Sequence, residues 1–144
     1  MSFASSSSVL IKATREAVWE ALTSPALVKQ YFFDTDLVTD WTVGSPILFR
    51  GEWDGKAYED RGTVLAFEPM NGFSFNYWSG FSGLEDRPEL RQLLRYAIDE
   101  VEGGIRVKVD QSNIDTEVRA AHSASNWREV LLGLKKFVEE RAPG

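Results

Sequence analysis

The chain has no cysteine and a single histidine, His122. Disulfides, thiolate metal ligands and a cysteine nucleophile are thereby excluded, and a zinc site would need one imidazole plus carboxylates. That composition suits a reducing, cytoplasmic setting. Long apolar runs are missing as well. Nothing approaches the ~20 residues of a membrane span, and Met1 to Ser8 has neither the basic segment nor the apolar stretch of an export signal. Positive charge is in the minority: 16 Lys and Arg against 22 Asp and Glu leave a net charge of −6. The basic residues are scattered among acids, so the counterion release that drives phosphate-backbone binding has no clustered source. Membrane insertion, nucleic-acid binding, and a resident metal or cofactor are therefore not expected.

Aromatic residues are abundant instead. Five Trp, nine Phe and four Tyr in 144 residues require a bulky interior, a large pocket, or both. The length fits one domain, residues 1–144, and a domain that size buries roughly 70% of the surface its unfolded chain exposes.

Local signals give an order of elements. The serine run Ser5–Ser8 leads into Val9-Leu10-Ile11, and about 5–13 reads as a strand. Thr14 is a helix N-cap with Glu16 in the first turn, ahead of Val18, Trp19 and Leu22 at helical spacing. Ser24-Pro25 starts a second short helix to about Tyr31. Asp54-Gly55, Asn71-Gly72 and Gly103-Gly104 then punctuate strand-like runs at 46–53, 57–68, 73–79, 91–102 and 105–113, with a weaker one at 36–40. From about Thr116 to Arg141 the period becomes helical. Trp127, Val130, Leu131, Leu134, Phe137 and Val138 form the apolar stripe. An antiparallel sheet must cover one face, and the last helix is the element long enough to do so. The expected class is α+β, a helix-grip: a curved antiparallel sheet around a long C-terminal helix, with two short helices after the first strand.

Two-residue turns fix register. A turn at Asp54-Gly55 sets Arg50 opposite Glu59 and Phe49 opposite Asp60. A turn at Gly103-Gly104 sets Asp99 opposite Lys108, Ile98 opposite Val109 and Tyr96 opposite Gln111. Each hairpin places an acid across from a base on one face, a pairing that contributes roughly 0.2–1 kcal/mol, and mainly large apolar groups on the other. The inward set is then Ile47, Phe49, Tyr58, Asp60, Tyr96, Ile98, Val107, Val109 and Gln111. A four-residue loop, Pro69 to Gly72, adds Val64 and Ala66 on the face of Phe75 and Tyr77.

Three stretches carry a family resemblance: Asp40-Trp41-Thr42-Val43-Gly44-Ser45-Pro46, Phe49-Arg50-Gly51-Glu52-Trp53-Asp54-Gly55, and Tyr58-Glu59-Asp60-Arg61-Gly62-Thr63-Val64. With Ala13-Thr14-Arg15-Glu16-Ala17-Val18-Trp19, Tyr77-Trp78, Ser82-Gly83-Leu84-Glu85-Asp86 and the segment from His122 to Lys135, the chain resembles the AHSA-type branch of the START-like (SRPBCC) superfamily. That family is named for the activator of heat-shock protein 90 ATPase. The resemblance implies the helix-grip fold. Its superfamily hosts lipid carriers, aromatase/cyclases, hormone receptors and co-chaperone modules, so function has to be read from the site.

Asp60, inward beside Tyr58, is the one catalytic candidate. It reads either as a pocket acid or ligand anchor, or as a carboxylate at a sheet edge paired with an arginine; an inward carboxylate lacking a partner would have its pKa raised by desolvation. His122 reads either as a general base or, more simply, as a cap or surface group at the start of the last helix. Gly80-Phe81-Ser82-Gly83 lacks the second spacer of a nucleophile elbow and reads as a loop. Trp41, Trp53 and Trp78 suit a pocket mouth or a core equally. The reading that follows is a non-catalytic binding module for a small apolar, aromatic or lipid-like ligand. Its pocket is lined by Phe49, Tyr58, Asp60, Val64, Phe75, Tyr77, Tyr96, Ile98, Val109, Gln111, Trp127 and Leu131. Two alternatives stand beside it: a cyclase- or hydrolase-type enzyme using Asp60 with a tyrosine, and a protein-interaction module in contact with a chaperone, as monomer or homodimer.

Overall fold

The computed structural model describes residues 2–53, 55–79 and 83–141, with Trp53 described in its backbone alone. The readings of Asp54, of the Gly80-Phe81-Ser82 loop and of the Trp53 ring lie outside the described residues.

The elements run β1 (Phe3–Ile11), α1 (Arg15–Thr23), α2 (Pro25–Tyr31), β2 (Asp36–Val38), β3 (Pro46–Trp53), β4 (Lys56–Glu68), β5 (Gly72–Tyr77), β6 (Gln92–Val101), β7 (Gly104–Ile114) and α3 (Glu117–Arg141). The strands form one antiparallel sheet in the order β1-β7-β6-β5-β4-β3-β2. Alternation decides the faces. In β7, Ile105, Val107, Val109 and Gln111 are buried while Arg106 and Lys108 are exposed. Helix α3 packs chiefly on β1 and reaches β7, α1 and α2, so the short helices share in covering the concave face. Val130, Leu131, Leu134 and Val138 carry α3 into the core. Thr14 caps α1 by accepting from the Ala17 amide at 3.1 Å. Ser24 sits at the N-cap of α2, where Pro25 occupies the first turn, but its hydroxyl makes no capping bond.

The β3–β4 register is the expected one. Phe49 faces Asp60 and Arg50 faces Glu59, with Arg50 Nε 2.7 Å from Glu59 Oε2 on the solvent side. The β6–β7 register needs correcting. Val101 pairs with Gly104, so the turn is Glu102-Gly103; Asp99 faces Arg106, Ala97 faces Lys108, Ile98 faces Val107 and Tyr96 faces Val109. The reason lies on β1. Gly104 (φ 150°) runs inside the ladder where a Cβ would come within 2.3 Å of the Ile11 carbonyl oxygen, so this glycine serves a close strand approach instead of a turn. The slip is by two residues, and every side chain keeps its face.

The β4–β5 hairpin also differs. Its loop has three residues, with Glu68 opposite Gly72 and Met70 at φ 69°, and a bulge falls between Val64 and Ala66. Val64 stays buried opposite Phe75, whereas Ala66 moves across from Ser74 and leaves the inward set. The extra residue turns Phe67 inward instead, 5.4 Å from the Trp19 ring and 5.5 Å from Trp41. A phenyl ring buries far more apolar surface than the alanine methyl, which favours the bulged pairing.

Candidate functional site

Three neighbouring groups of side chains occupy the concave face. The first is a cage of rings. Phe49 lies 5.5 Å from Phe75 and 5.6 Å from Tyr77, and Phe75 lies 6.2 Å from Tyr96. Tyr96 in turn stacks on Phe73 at 4.5 Å and meets the Trp127 ring edge-on at 5.7 Å. These offset and edge-to-face geometries are the favourable ones for aromatic quadrupoles. The cage encloses a cavity of ≈ 20 Å³, the room of about one water molecule. Phe49, Phe75 and Tyr96 from the sequence-derived set line it. So do Tyr31, Phe32, Leu37 and Phe73, which the sequence reading left out of the site, and Trp41, which it divided between a pocket mouth and the core.

Phe32 bridges the cage to both helices, 6.5 Å from Phe49 and 5.7 Å from Trp127. It caps the C-terminus of α2 and is followed by Phe33 and Asp34 in left-handed conformations, φ 51° and 58°. The only signal for it was the run Tyr31-Phe32-Phe33 just past a helix end, and nothing local says which ring turns inward.

Two phenols border the cavity in different states. Tyr31 donates to the Ala21 carbonyl at 2.8 Å, and burial raises its pKa far above the ordinary range. Tyr96 is raised well above the ordinary phenol by burial first, with the nearby Tyr31 adding to it. Its hydroxyl has no hydrogen-bond partner among the described residues. Both phenols therefore stay neutral donors at any physiological pH.

The second group is polar. Tyr77 donates its hydroxyl to Asp60 Oδ2, and burial, reinforced by the Asp60 charge, pushes the Tyr77 pKa well up. Asp60 is buried, as is Thr35, whose hydroxyl shares a 3.3 Å hydrogen bond with Tyr58. Gly51 makes room for the Tyr58 ring to lie across β3, since a Cβ there would meet the phenol oxygen at 2.6 Å. The third group ties the sheet to α3. Trp127 donates to Gln111 Oε1 at 2.7 Å, and the Gln111 amide donates to Gln92 Oε1. Val64, Ile98, Val109 and Leu131 are packed core around these groups.

Elsewhere, His122 is exposed on α3. Trp41 donates to the Thr23 carbonyl at 2.9 Å and Trp78 to the Leu84 carbonyl at 2.9 Å; the Arg61 guanidinium lies over the Trp78 ring. Among the described residues no three acids or histidines gather where a metal could sit, and no helix is long and apolar enough to cross a membrane. Among the described residues the buried polar and charged side chains are Thr35, Asp60 and Gln111: a neutral hydroxyl, an amide and a carboxylate.

Residues 12–139 match the family described as "Activator of Hsp90 ATPase homolog 1-like protein". No curated protein sequence matches the chain. Among solved structures, ChR145 from Cytophaga hutchinsonii is 39% identical over 96% of this chain and 95% of its own, with a TM-score of 0.82. The Aha1 dimer from Colwellia psychrerythraea is 22% identical over 95% and 96%, with a TM-score of 0.74. Ara h 8.0201 shares 9% identity over 98% and 100%, again with a TM-score of 0.74, a likeness of fold alone. The helix-grip fold and the match over most of its length agree: this chain belongs to the activator of Hsp90 ATPase homolog 1-like family.

Proposed function

We propose that residues 1–144 act as one cytoplasmic domain that binds a small, neutral, apolar or aromatic molecule between sheet and helices without transforming it. The observation behind this reading is the Tyr96 side chain, 8% exposed beside a ring-lined cavity, whose hydroxyl makes no hydrogen bond within the described residues. A ligand carbonyl or ether oxygen would satisfy it, while the rings supply apolar contact. The interior favours a neutral ligand: a charged group placed among the rings would lose its hydration with no buried cation among the described residues to pair with it.

Room for such a ligand must come from movement, because ≈ 20 Å³ holds no more than water. The segment suited to move is the corner from Phe32 to Asp34. Phe32 closes the cage, and a bulky residue such as Phe33 in the left-handed region carries about 1–3 kcal/mol of backbone strain. Native mass spectrometry of freshly purified protein tests the reading. A retained adduct of small-molecule mass, reduced in Tyr96→Phe, is expected; protein of bare mass that also takes up no added neutral aromatic ligand would overturn it.

One observation favours a second reading, an enzyme of cyclase or hydrolase type: the hydrogen bond from Tyr77 to buried Asp60 is the arrangement that positions an acid–base group. Turnover abolished by Asp60→Asn would select it. Co-elution with the Hsp90 chaperone would select the interaction reading that the family's name suggests.

A further inference from the structure

The two edges of the sheet differ. β2 is three residues long and begins at Asp36, short and charged as protected edges are. β1 has nine residues and, from Phe3 to Ile11, no charged side chain and no proline. Two contacts fix which of its backbone groups face outward. The Ile11 carbonyl lies against Gly104 of β7, so odd-numbered residues turn their N–H and C=O into the sheet. The Leu10 carbonyl accepts from Lys135 Nζ at 3.0 Å, so even-numbered residues direct theirs to the open edge. Helix α3 closes the far end of that edge, with Lys135 on Leu10 and Glu139 on the Lys12 amide at 2.8 Å. Ala4, Ser6 and Ser8 remain. Their side chains are small and exposed, and their N–H and C=O groups have no partner among the described residues.

We propose that a second copy of this chain pairs along this edge, β1 antiparallel to β1, with a two-fold axis at Ser6. A two-fold interface must be self-complementary. In this register Ser6 faces Ser6 and Ala4 faces Ser8, all of them edge-directed residues, so the three pairs exchange about six backbone hydrogen bonds. Between the sheets' concave faces, Ser5 meets Ser7 and Phe3 meets Val9. No charge meets its like. The helix supplies apolar surface to the same contact. Leu132, 55% exposed, stands one turn before Lys135 on the flank of α3 that reaches the β1 edge. The axis would set the two α3 helices side by side and cover it. Strand pairing alone falls short of the ~1,200 Å² typical of stable complexes, so the dimer is a weak and reversible one.

Sedimentation equilibrium of the full chain over a wide concentration range is the test. The wild type should show a reversible monomer–dimer equilibrium. Ser6→Lys, on an exposed position, should raise the dissociation constant about tenfold or more while keeping the wild-type circular dichroism and melting temperature, and Leu132→Asp should weaken the dimer from the helix side. Amide exchange in the wild type gives a reading that no variant's folding can confound: Ala4, Ser6 and Ser8 amides should gain protection as concentration rises. A chain monomeric at every concentration, or a dimer that both variants leave intact and whose Ser6 amide exchanges freely, would overturn the proposal.

Discussion

Leu131→Ala probes whether α3 is core or cover. Leu131 is 2% exposed and shares the inner stripe of α3 with Val130, Leu134 and Val138. The substitution removes three carbons from a site bounded by strands that cannot follow them inward. The expected loss is about 2–5 kcal/mol, the lower end if α3 settles toward β1 and the upper end if the void stays open. For a chain of this length one kcal/mol corresponds to about 3 °C, so the melting temperature should fall by roughly 6–15 °C. In urea the midpoint should drop with the slope unchanged, because the surface exposed on unfolding is nearly the same. Val118→Ala on the same helix is the control: Val118 is 80% exposed, and its truncation should stay within about 0.5 kcal/mol. If Leu131→Ala melts with Val118→Ala, α3 is not gripped by the sheet and the energetic account of the fold is wrong.

Further expectations rest on single contacts. Gly104→Ala forces a Cβ to within 2.3 Å of the Ile11 carbonyl at φ 150°, and thermal denaturation should show a loss of about 1–3 kcal/mol or more. Tyr96→Phe deletes a hydroxyl that makes no hydrogen bond within the described residues and keeps the ring, so the ligand-free protein should hold its stability to within about 1 kcal/mol in the same assay. Asp86 is held below the ordinary carboxylate value of 3.8, first by its hydrogen bond from Arg91 and further by the Arg91 and Arg61 charges. A depressed folded pKa stabilises above the unfolded value and is lost as pH falls through the folded one. Stability curves should therefore steepen downward below about pH 4, and less so in Asp86→Asn.

Much of this architecture is legible in the sequence because it is written in local chemistry. The β3–β4 register follows from one turn and from Arg50 and Glu59 agreeing with it, and α1 from Thr14 and the spacing of Val18 and Leu22. The misreadings come where long-range contacts decide. Gly103-Gly104 offers two placements of a turn, and only the approach of Ile11 on β1, nearly a hundred residues earlier, selects between them. The bulge after Val64 has no local mark; it exists because Phe67 finds Trp19 and Trp41. The candidate site divides the same way. Phe49, Phe75 and Tyr96 are strand residues whose inward direction follows from period two, whereas Phe32 and Tyr31 enter the cage through the docking of α2. The pairing of Tyr77 with Asp60 likewise depends on how β4 and β5 meet past the bulge.

Whether the ring cage opens to hold a ligand is read by a titration of intrinsic tryptophan fluorescence with neutral aromatic compounds, flavonoids among them, alongside fatty acids and an anilinonaphthalene dye. Trp41 and Trp127 both touch the cage. Burying about 450 Å² of a flavonoid-sized ligand at roughly 25 cal/mol per Å² gives about 11 kcal/mol, and about 4 kcal/mol of immobilisation and movement of Phe32 leaves an affinity in the micromolar range. Saturable quenching by neutral aromatics is expected at micromolar concentration, weaker for anionic fatty acids, and reduced in Tyr96→Phe for ligands bearing a carbonyl. Quenching that rises linearly without saturation for every compound would show that the interior stays closed, and would contradict the ligand-binding reading.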